Sequence, residues 1–277
     1  MKFTKMHGCG NDYVYVNCFE ETVDDRPALA RLVSDRHFGV GGDGLICICP
    51  SDKADFAMDM YNADGSCAQM CGNGIRCVAK YLYDKKLVKK EKMKIETASG
   101  VKTLRVYTYG NEVRSVSVEM GKASLNPSEV PVTLAGPTVL DRPVVIGGRE
   151  YRINCVSMGN PHCIVFCDRV DAVDVETVGP QFENADIFPE RVNAEFVRVV
   201  NRRTLKMRVW ERGNGETLAC GTGACAAVVA AVENGYCDAG EDITVKVRGG
   251  DLIVSYTPDG VTLTGETALA FEGVVVC

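Results

Sequence analysis

Two short stretches of the chain place reactive atoms where they could do chemistry: Met70-Cys71-Gly72-Asn73-Gly74 and Ala219-Cys220-Gly221-Thr222-Gly223. In each, a glycine-flanked cysteine comes just before a run that reads as a helix. Its sulfur therefore sits where unpaired backbone N–H groups and the positive end of the helix dipole favour a thiolate. An ordinary thiol pKa of about 8.5 falls towards neutrality in such a place. The same N–H groups bind carboxylates, because glycine lets the backbone come close to a ligand. Each element offers a base and an anion site together.

Two such elements suit the inversion of a carbon centre. A thiolate takes the proton from one face of a tetrahedral carbon, and a thiol returns a proton to the opposite face of the planar carbanion. About four backbone N–H groups at the two helix starts would stabilise the enediolate-like charge on an adjoining carboxylate. A buried cysteine is more often an inert core residue. Recurrence of the pattern at one internal offset argues against that here.

The offset organises the whole chain. Cys220 follows Cys71 by 149 positions, and the same spacing relates Gly10-Asn11 to Gly159-Asn160, Tyr61 to Trp210 and Gly100 to Gly249. Coincidences at a single offset point to a duplicated domain, and 277 residues suit two domains of about 100 to 200 residues each. Alternating runs predict strands at Tyr13–Cys18, Leu45–Cys49, Asp55–Tyr61, Lys92–Thr97, Lys102–Tyr107, Tyr151–Val156, Cys163–Cys167, Phe196–Val200, Lys206–Trp210 and Ile243–Val247. Helices are expected at Pro27–Arg36, with Asp25 near its cap, and after each cysteine at Gly74–Lys85 and Gly223–Asn234. The last is an alanine and valine run too apolar for a surface, so it should be buried.

Bulk properties narrow the partners. With 46% hydrophobic and 25% charged residues the chain reads as an ordinary globular protein. A net charge of −6 without a basic tract argues against nucleic acid or an anionic membrane surface. No apolar run reaches spanning length, and Met1-Lys2-Phe3-Thr4-Lys5-Met6 lacks a signal-peptide core, so a cytoplasmic location is expected. The 14 cysteines could signal a disulfide scaffold, but those belong to short exported domains. They could signal a metal centre, but no Cys-x-x-Cys pair occurs and the histidines are only His7, His37 and His162. No metal is expected, and most cysteines read as small core residues.

With these residues in view, the sequence resembles the diaminopimelate epimerase family of pyridoxal-independent, two-cysteine racemases. The likeness runs through Gly8-Cys9-Gly10-Asn11-Asp12, Asn62-Ala63-Asp64-Gly65-Ser66, Cys71-Gly72-Asn73-Gly74-Ile75-Arg76, Met158-Gly159-Asn160-Pro161-His162, Pro189-Glu190-Arg191-Val192-Asn193, Glu211-Arg212-Gly213 and Cys220-Gly221-Thr222-Gly223-Ala224-Cys225. It implies an α+β fold of two pseudo-symmetric domains, each a curved, mostly antiparallel sheet around a central helix, with the active site between them. The domains would be residues 1–118, completed by 266–277, and 119–265. The implied reaction converts LL-2,6-diaminopimelate to the meso form in lysine and peptidoglycan precursor synthesis, with no cofactor, in a homodimer.

By the same resemblance, Cys71 and Cys220 are the acid/base thiols, and His162 and Glu211 tune them or relay their protons. Backbone N–H groups around Gly72, Asn73, Gly221 and Thr222 would hold the reacting carboxylate. Asn11, Asn62, Asn160, Asn193, Glu211 and Arg212 would recognise the rest of the substrate. Asparagine in a glycine-rich loop is otherwise a turn former. One departure is Gly44, where some relatives carry Gln; Gly41-Gly42-Asp43-Gly44 reads either as a plain turn or as a flexible loop. Proline racemases and hydroxyproline epimerases are the nearest alternative, although these tend to have His where this chain has Asn73. A thiol redox protein and a non-catalytic carboxylate-binding module are more distant ones.

Overall fold

Alternating apolar residues dominate the chain, and the computed structural model, which describes residues 1–276, resolves them into strands packed on four helices. The chain opens with β1 (Lys2–Gly8), β2 (Asn11–Asn17), α1 (Arg26–Ser34), β3 (Gly44–Cys49), β4 (Phe56–Asn62), β5 (Cys67–Ala68) and α2 (Gly72–Asp84). Next come β6 (Lys92–Thr97), β7 (Gly100–Tyr109) and β8 (Glu112–Gly121). The second stretch holds β9 (Arg142–Ile146), β10 (Arg149–Ser157), β11 (Pro161–Phe166), α3 (Val175–Glu183), β12 (Asn193–Asn201), β13 (Thr204–Glu211) and β14 (Gly215–Glu216). It continues through α4 (Gly221–Glu233), β15 (Asp242–Val247), β16 (Gly250–Thr257) and β17 (Gly260–Glu266), and β18 (Ala268–Val274) closes the chain.

Two units result, one of residues 1–119 with 264–276 and one of residues 120–263. Position 277 of the expected closing segment lies outside the described residues. In the first unit β1 pairs antiparallel with β18 and β2, β2 runs parallel to β3, and β3 pairs antiparallel with β4. Parallel β4–β6 pairing and antiparallel β6–β7 and β7–β8 pairing complete the sheet. Helix α2 touches β1, β2 and β7, strands from both ends of that order, so the sheet curls about it. Helix α1 covers the other face of β2, β3 and β4 through Leu29, Ala30 and Val33.

The second unit repeats the plan. β10 pairs antiparallel with β9 and β11, β11 runs parallel to β12, and β13 pairs antiparallel with β12 and parallel with β15. Helix α4 touches β10, β11, β12, β13, β15 and β16, and its residues Gly223–Ala231 are buried all round, as its apolar composition requires. Register repeats as well, since Tyr13 faces Gly44 in the first unit and His162 faces Asn193 in the second.

Departures from the sequence reading have local causes. Helices α2 and α4 start at Gly72 and Gly221, two residues before the expected starts, because Cys71 and Cys220 themselves cap them. Helix α1 stops at Ser34 rather than Arg36, since the Asp35 carboxylate accepts the N–H groups of His37 and Phe38 and turns the chain. No helix was legible at Val175–Glu183, where Gly179 and Pro180 break the pattern. Gly44 is neither turn nor flexible loop. It opens β3, and a Cβ there would lie 2.1 Å from the Tyr61 carbonyl oxygen, so the close strand pairing itself requires glycine.

Of the described cysteines, nine are buried. Burial raises the Cys77 thiol to about 12 and pushes Cys163 and Cys220 well up. The neutral thiols then contribute stability that is present below the unfolded pKa of about 8.5 and lost as pH rises towards the folded values. For Cys77 alone the loss by pH 10 is about 2 kcal/mol, or roughly 4 °C or more. Calorimetry at pH 7.5 and pH 10 should show that fall in Tm; equal Tm values would mean that these thiols ionise freely in the fold.

Candidate active site

Each chemistry-bearing cysteine owes its position to the helix it caps. Cys71 has extended backbone (φ −126°, ψ 120°), and its Sγ accepts the Gly74 N–H at 3.3 Å. Cys220 is nearly the same (φ −114°, ψ 112°), with Sγ accepting the Gly223 N–H at 3.4 Å. The sulfur thus takes the place of an N-cap oxygen. Glycine at the third helical position leaves room for a buried side chain in both. A Cβ on Gly74 would meet Ile46 Cδ1 at 2.7 Å, and one on Gly223 would meet Glu195 Oε1 at 2.5 Å.

Around Cys71 the first unit assembles an amide cluster. Asn11 leaves the Cys9-Gly10 turn, whose φ angles are 52° and 81°, and enters β2 with its Oδ1 3.1 Å from Cys71 Sγ. The same oxygen accepts from Asn73 Nδ2 at 3.3 Å, and Asn11 Nδ2 donates to Asp43 at 2.6 Å. The fully buried Arg76 donates to Asn73 Oδ1 at 2.9 Å and to the Gly72 carbonyl at 3.1 Å. Tyr13 lies in the same cluster, its phenol pushed well above 10 first by burial and further by the Cys71 sulfur. Asn62 does not join: its amide donates to Ser66 Oγ at 2.9 Å and shapes the turn after β4.

Around Cys220 the second unit is more strongly charged. His162 Nδ1 and Glu195 Oε1 are 2.7 Å apart and wholly out of solvent, and His162 Nε2 is 3.1 Å from Asn160 Oδ1. Asn160 Nδ2 reaches Thr222 Oγ1 at 3.3 Å, and that hydroxyl lies 3.5 Å from Cys220 Sγ. Glu211 accepts from Thr217 Oγ1 at 2.5 Å. Burial raises the Glu211 carboxyl, and the charge of Glu195 adds to this. Burial also raises the Cys220 thiol, reinforced by Glu211 and then Glu195.

Two expected residues also bond within the protein. Asn193 donates to the Pro161 carbonyl at 2.7 Å and accepts the Arg212 N–H at 2.9 Å, tying β11 to the end of β13. The Arg212 guanidinium donates to the Glu190 carbonyl at 2.9 Å. The sequence reading assigned no role to Arg76, Tyr13, Asp43, Thr217 or Glu195. Glu195 carried a usable signal, being the one charge in the otherwise uncharged, mostly apolar run Val192–Val197.

Known proteins similar to this chain identify its family. The diaminopimelate epimerase family model matches residues 3–126 and 154–269. A diaminopimelate epimerase from Agathobacter rectalis is 53% identical over 99% of this chain and 98% of its own length. One from Acetivibrio thermocellus is 51% identical over the same shares, and one from Methanococcus maripaludis is 48% identical over 99% of both. Among solved structures, a hydroxyproline epimerase from Agrobacterium vitis with bound trans-4-hydroxy-L-proline has a TM-score of 0.69 at 15% identity, covering 99% of this chain and 91% of that one. A PhzF-family phenazine biosynthesis protein from Bacillus anthracis has a TM-score of 0.69 at 16% identity over 100% and 99%. These two are similar in fold alone.

Because the Glu211 carboxylate opposes ionisation of Cys220, Glu211→Gln should make this sulfur the more readily ionised. Alkylation of Cys220 by iodoacetamide at pH 8, located by peptide mapping, should be several-fold faster than in the wild type. An unchanged or slower rate would remove Glu211 as a brake on the thiol.

Proposed function

The chain belongs to the diaminopimelate epimerase family, and from that premise we propose that it interconverts LL- and meso-2,6-diaminopimelate, with the Cys71 and Cys220 sulfurs carrying the protons. One observation above all supports this: in each of two repeated units a cysteine caps the helix its sheet wraps, with Sγ accepting the third N–H of the first turn.

The chemistry then runs as follows. The substrate α-carboxylate is held by the backbone N–H groups of Gly72, Asn73, Gly221 and Thr222, which stabilise the enediolate-like carbanion as its charge grows. Burial beside Glu211 and Glu195 favours the thiol at Cys220, so it serves as acid in the direction where Cys71 is base. Their roles exchange in the reverse direction. Asn11 and Asn160 each sit within a hydrogen-bonded cluster beside a cysteine, as substrate contacts would. Arg212, with Asn62 and Asn193, recognises the far amino-acid end of the substrate; its fork of donors suits a carboxylate. His162 and Glu211 tune Cys220. The place of a pyridoxal electron sink is taken by the carboxylate itself, whose growing negative charge the backbone N–H groups stabilise. The activity serves lysine synthesis, in a cytoplasmic homodimer.

The purified protein, without added cofactor, should epimerise LL-diaminopimelate in D₂O so that early product carries deuterium while recovered substrate stays largely unlabelled. Equal early labelling of both isomers would mean a single base. Cys71→Ala and Cys220→Ala should each lower kcat/KM roughly a thousandfold or more, and full activity in either would end the assignment. Lysine, which lacks the far carboxylate, should react about thirtyfold or more poorly. Efficient racemisation of proline would move the chain to a different substrate class.

A further inference from the structure

Outside the cysteine clusters, one buried carboxylate gathers donors from separate segments of the second unit. Glu183 ends α3 with its side chain out of solvent. Its Oε2 accepts the indole Nε1–H of Trp210 at 2.6 Å, and its Oε1 accepts both the Gly213 N–H at 2.9 Å and the Arg191 guanidinium at 3.0 Å. The indole comes this close because Gly179 lies one helical turn before Glu183 on the same face of α3, and a Cβ there would stand 2.4 Å from the ring. A carboxylate accepts at both oxygens and donates at neither, so it suits all of these contacts at once.

The donors frame Arg212. Gly213 follows it in the turn after β13, Trp210 precedes it by two positions, and Arg191 adjoins Glu190, whose carbonyl takes Arg212 Nη1 at 2.9 Å. Asn193 Oδ1 accepts the Arg212 N–H at 2.9 Å from the start of β12. Arg191 has left-handed backbone (φ 60°), a costly conformation for a residue with a side chain, so its ion pair with Glu183 helps hold this stretch in shape. Arg212 is thereby fixed at its own N–H, at the N–H that follows, and at one corner of its fork. Anchoring a corner narrows where the rest of the planar fork can point.

The duplication shows that this fastening is not general to the fold. At the offset of 149 positions α3 (Val175–Glu183) falls on α1 (Arg26–Ser34), so Glu183 corresponds to Ser34. Arg191 corresponds to Gly42, and Arg212 corresponds to Ala63. A tie that merely joined the covering helix to its sheet would serve both units. The carboxylate occurs only in the unit whose turn carries an arginine.

We propose that Glu183 is a positioning residue for substrate selection: by holding Trp210, Gly213 and Arg191 together it aims the Arg212 fork at a carboxylate on the far end of the substrate. The inference rests on the epimerase reading given above, and it adds a residue to which that reading gives no role.

Glu183→Gln keeps the shape but replaces one acceptor with a donor, which must face either the indole N–H or the Gly213 and Arg191 donors. With Arg212 less well aimed, KM for diaminopimelate should rise about tenfold, the worth of one hydrogen bond to a charged group, while kcat stays within about twofold of the wild type. Lysine has no far carboxylate, so its kcat/KM should change by less than about twofold and the preference for diaminopimelate over lysine should narrow. Trp210→Phe, which keeps a ring and loses the N–H, should narrow the preference too, and it carries the comparison if Glu183→Gln does not fold. A carboxylate that only steadied the fold would slow both substrates alike. In an Arg212→Met background Glu183→Gln should alter the preference by less than about twofold, because the arginine through which it acts is gone. An unaltered preference in both single variants, a parallel loss on both substrates, or an undiminished narrowing in the Arg212→Met background overturns the inference. Wild-type protein inert towards diaminopimelate would fail the epimerase reading and this inference with it; the wild type alone tells the two failures apart.

Discussion

The structure depends on one unusual cap. A helix begins with N–H groups that have no partner within it, and an oxygen from Ser, Thr, Asp or Asn normally takes one of them. Here a sulfur does so, twice, at 3.3 and 3.4 Å. Sulfur is a weaker acceptor than oxygen, so the bond gains strength as the sulfur acquires charge. The cap is therefore poorest for the thiol and best for the thiolate, a useful bias in an atom that must hold and release a proton. It also explains the wrapping sheets: the helix start has to be kept from water for the bias to count.

Burial alone would defeat that purpose. Cys220 is pushed towards the thiol by desolvation and by two carboxylates, so a fold that merely enclosed it would hold an inert cysteine. Something has to favour the charged form on demand. Hydrogen bonds to the charged form are the available means: the Gly74 and Gly223 N–H groups donate to the two sulfurs and the Thr222 hydroxyl lies beside Cys220, whereas Asn11 Oδ1 accepts from the Cys71 thiol. The two halves differ in what stands behind those groups. A buried arginine supports the Cys71 cluster, and a buried histidine–carboxylate pair supports the Cys220 cluster.

The sequence made the two helix-capping cysteines and their flanking amides legible because repetition is visible without a structure. The offset joining Cys71 to Cys220 also joins Asn11 to Asn160 and Gly44 to Asn193, and the strand register repeats with it. The apolar composition of α4 was enough to predict its burial. Less legible was whatever depends on contacts between strands. That Gly44 must lack a side chain follows from the Tyr61 carbonyl across the sheet, which no local pattern reveals. Helix α3 was hidden by Gly179 and Pro180. Gly179 is required because a Cβ there would lie 2.4 Å from the Trp210 ring, a residue far along the chain. Glu195 and Arg76 stood in view, one just ahead of the expected strand Phe196–Val200 and the other inside a glycine motif; only burial and partners give them meaning.

Duplication with divergence has a chemical logic once the positions are compared across the offset. Tyr13 corresponds to His162, Ile46 to Glu195, Asn62 to Glu211, and Asn73 to Thr222. In each pair the second unit carries the more readily titrated or more freely rotating group, apart from the two amides shared at Asn11 and Asn160. A symmetric pair of sites would suit a symmetric molecule. An α-carbon flanked by a carboxylate, an amine and a long polar arm is not symmetric, and its two faces meet different neighbours. Keeping the cap identical preserves the property both thiols need. Varying what stands behind the cap lets each sulfur be poised separately, at the cost of a buried polar network that must be satisfied in full. Glu195 retains one oxygen without a partner. Such an unpaired buried acceptor is expensive, and the first unit avoids that cost by carrying Ile46 at the corresponding position.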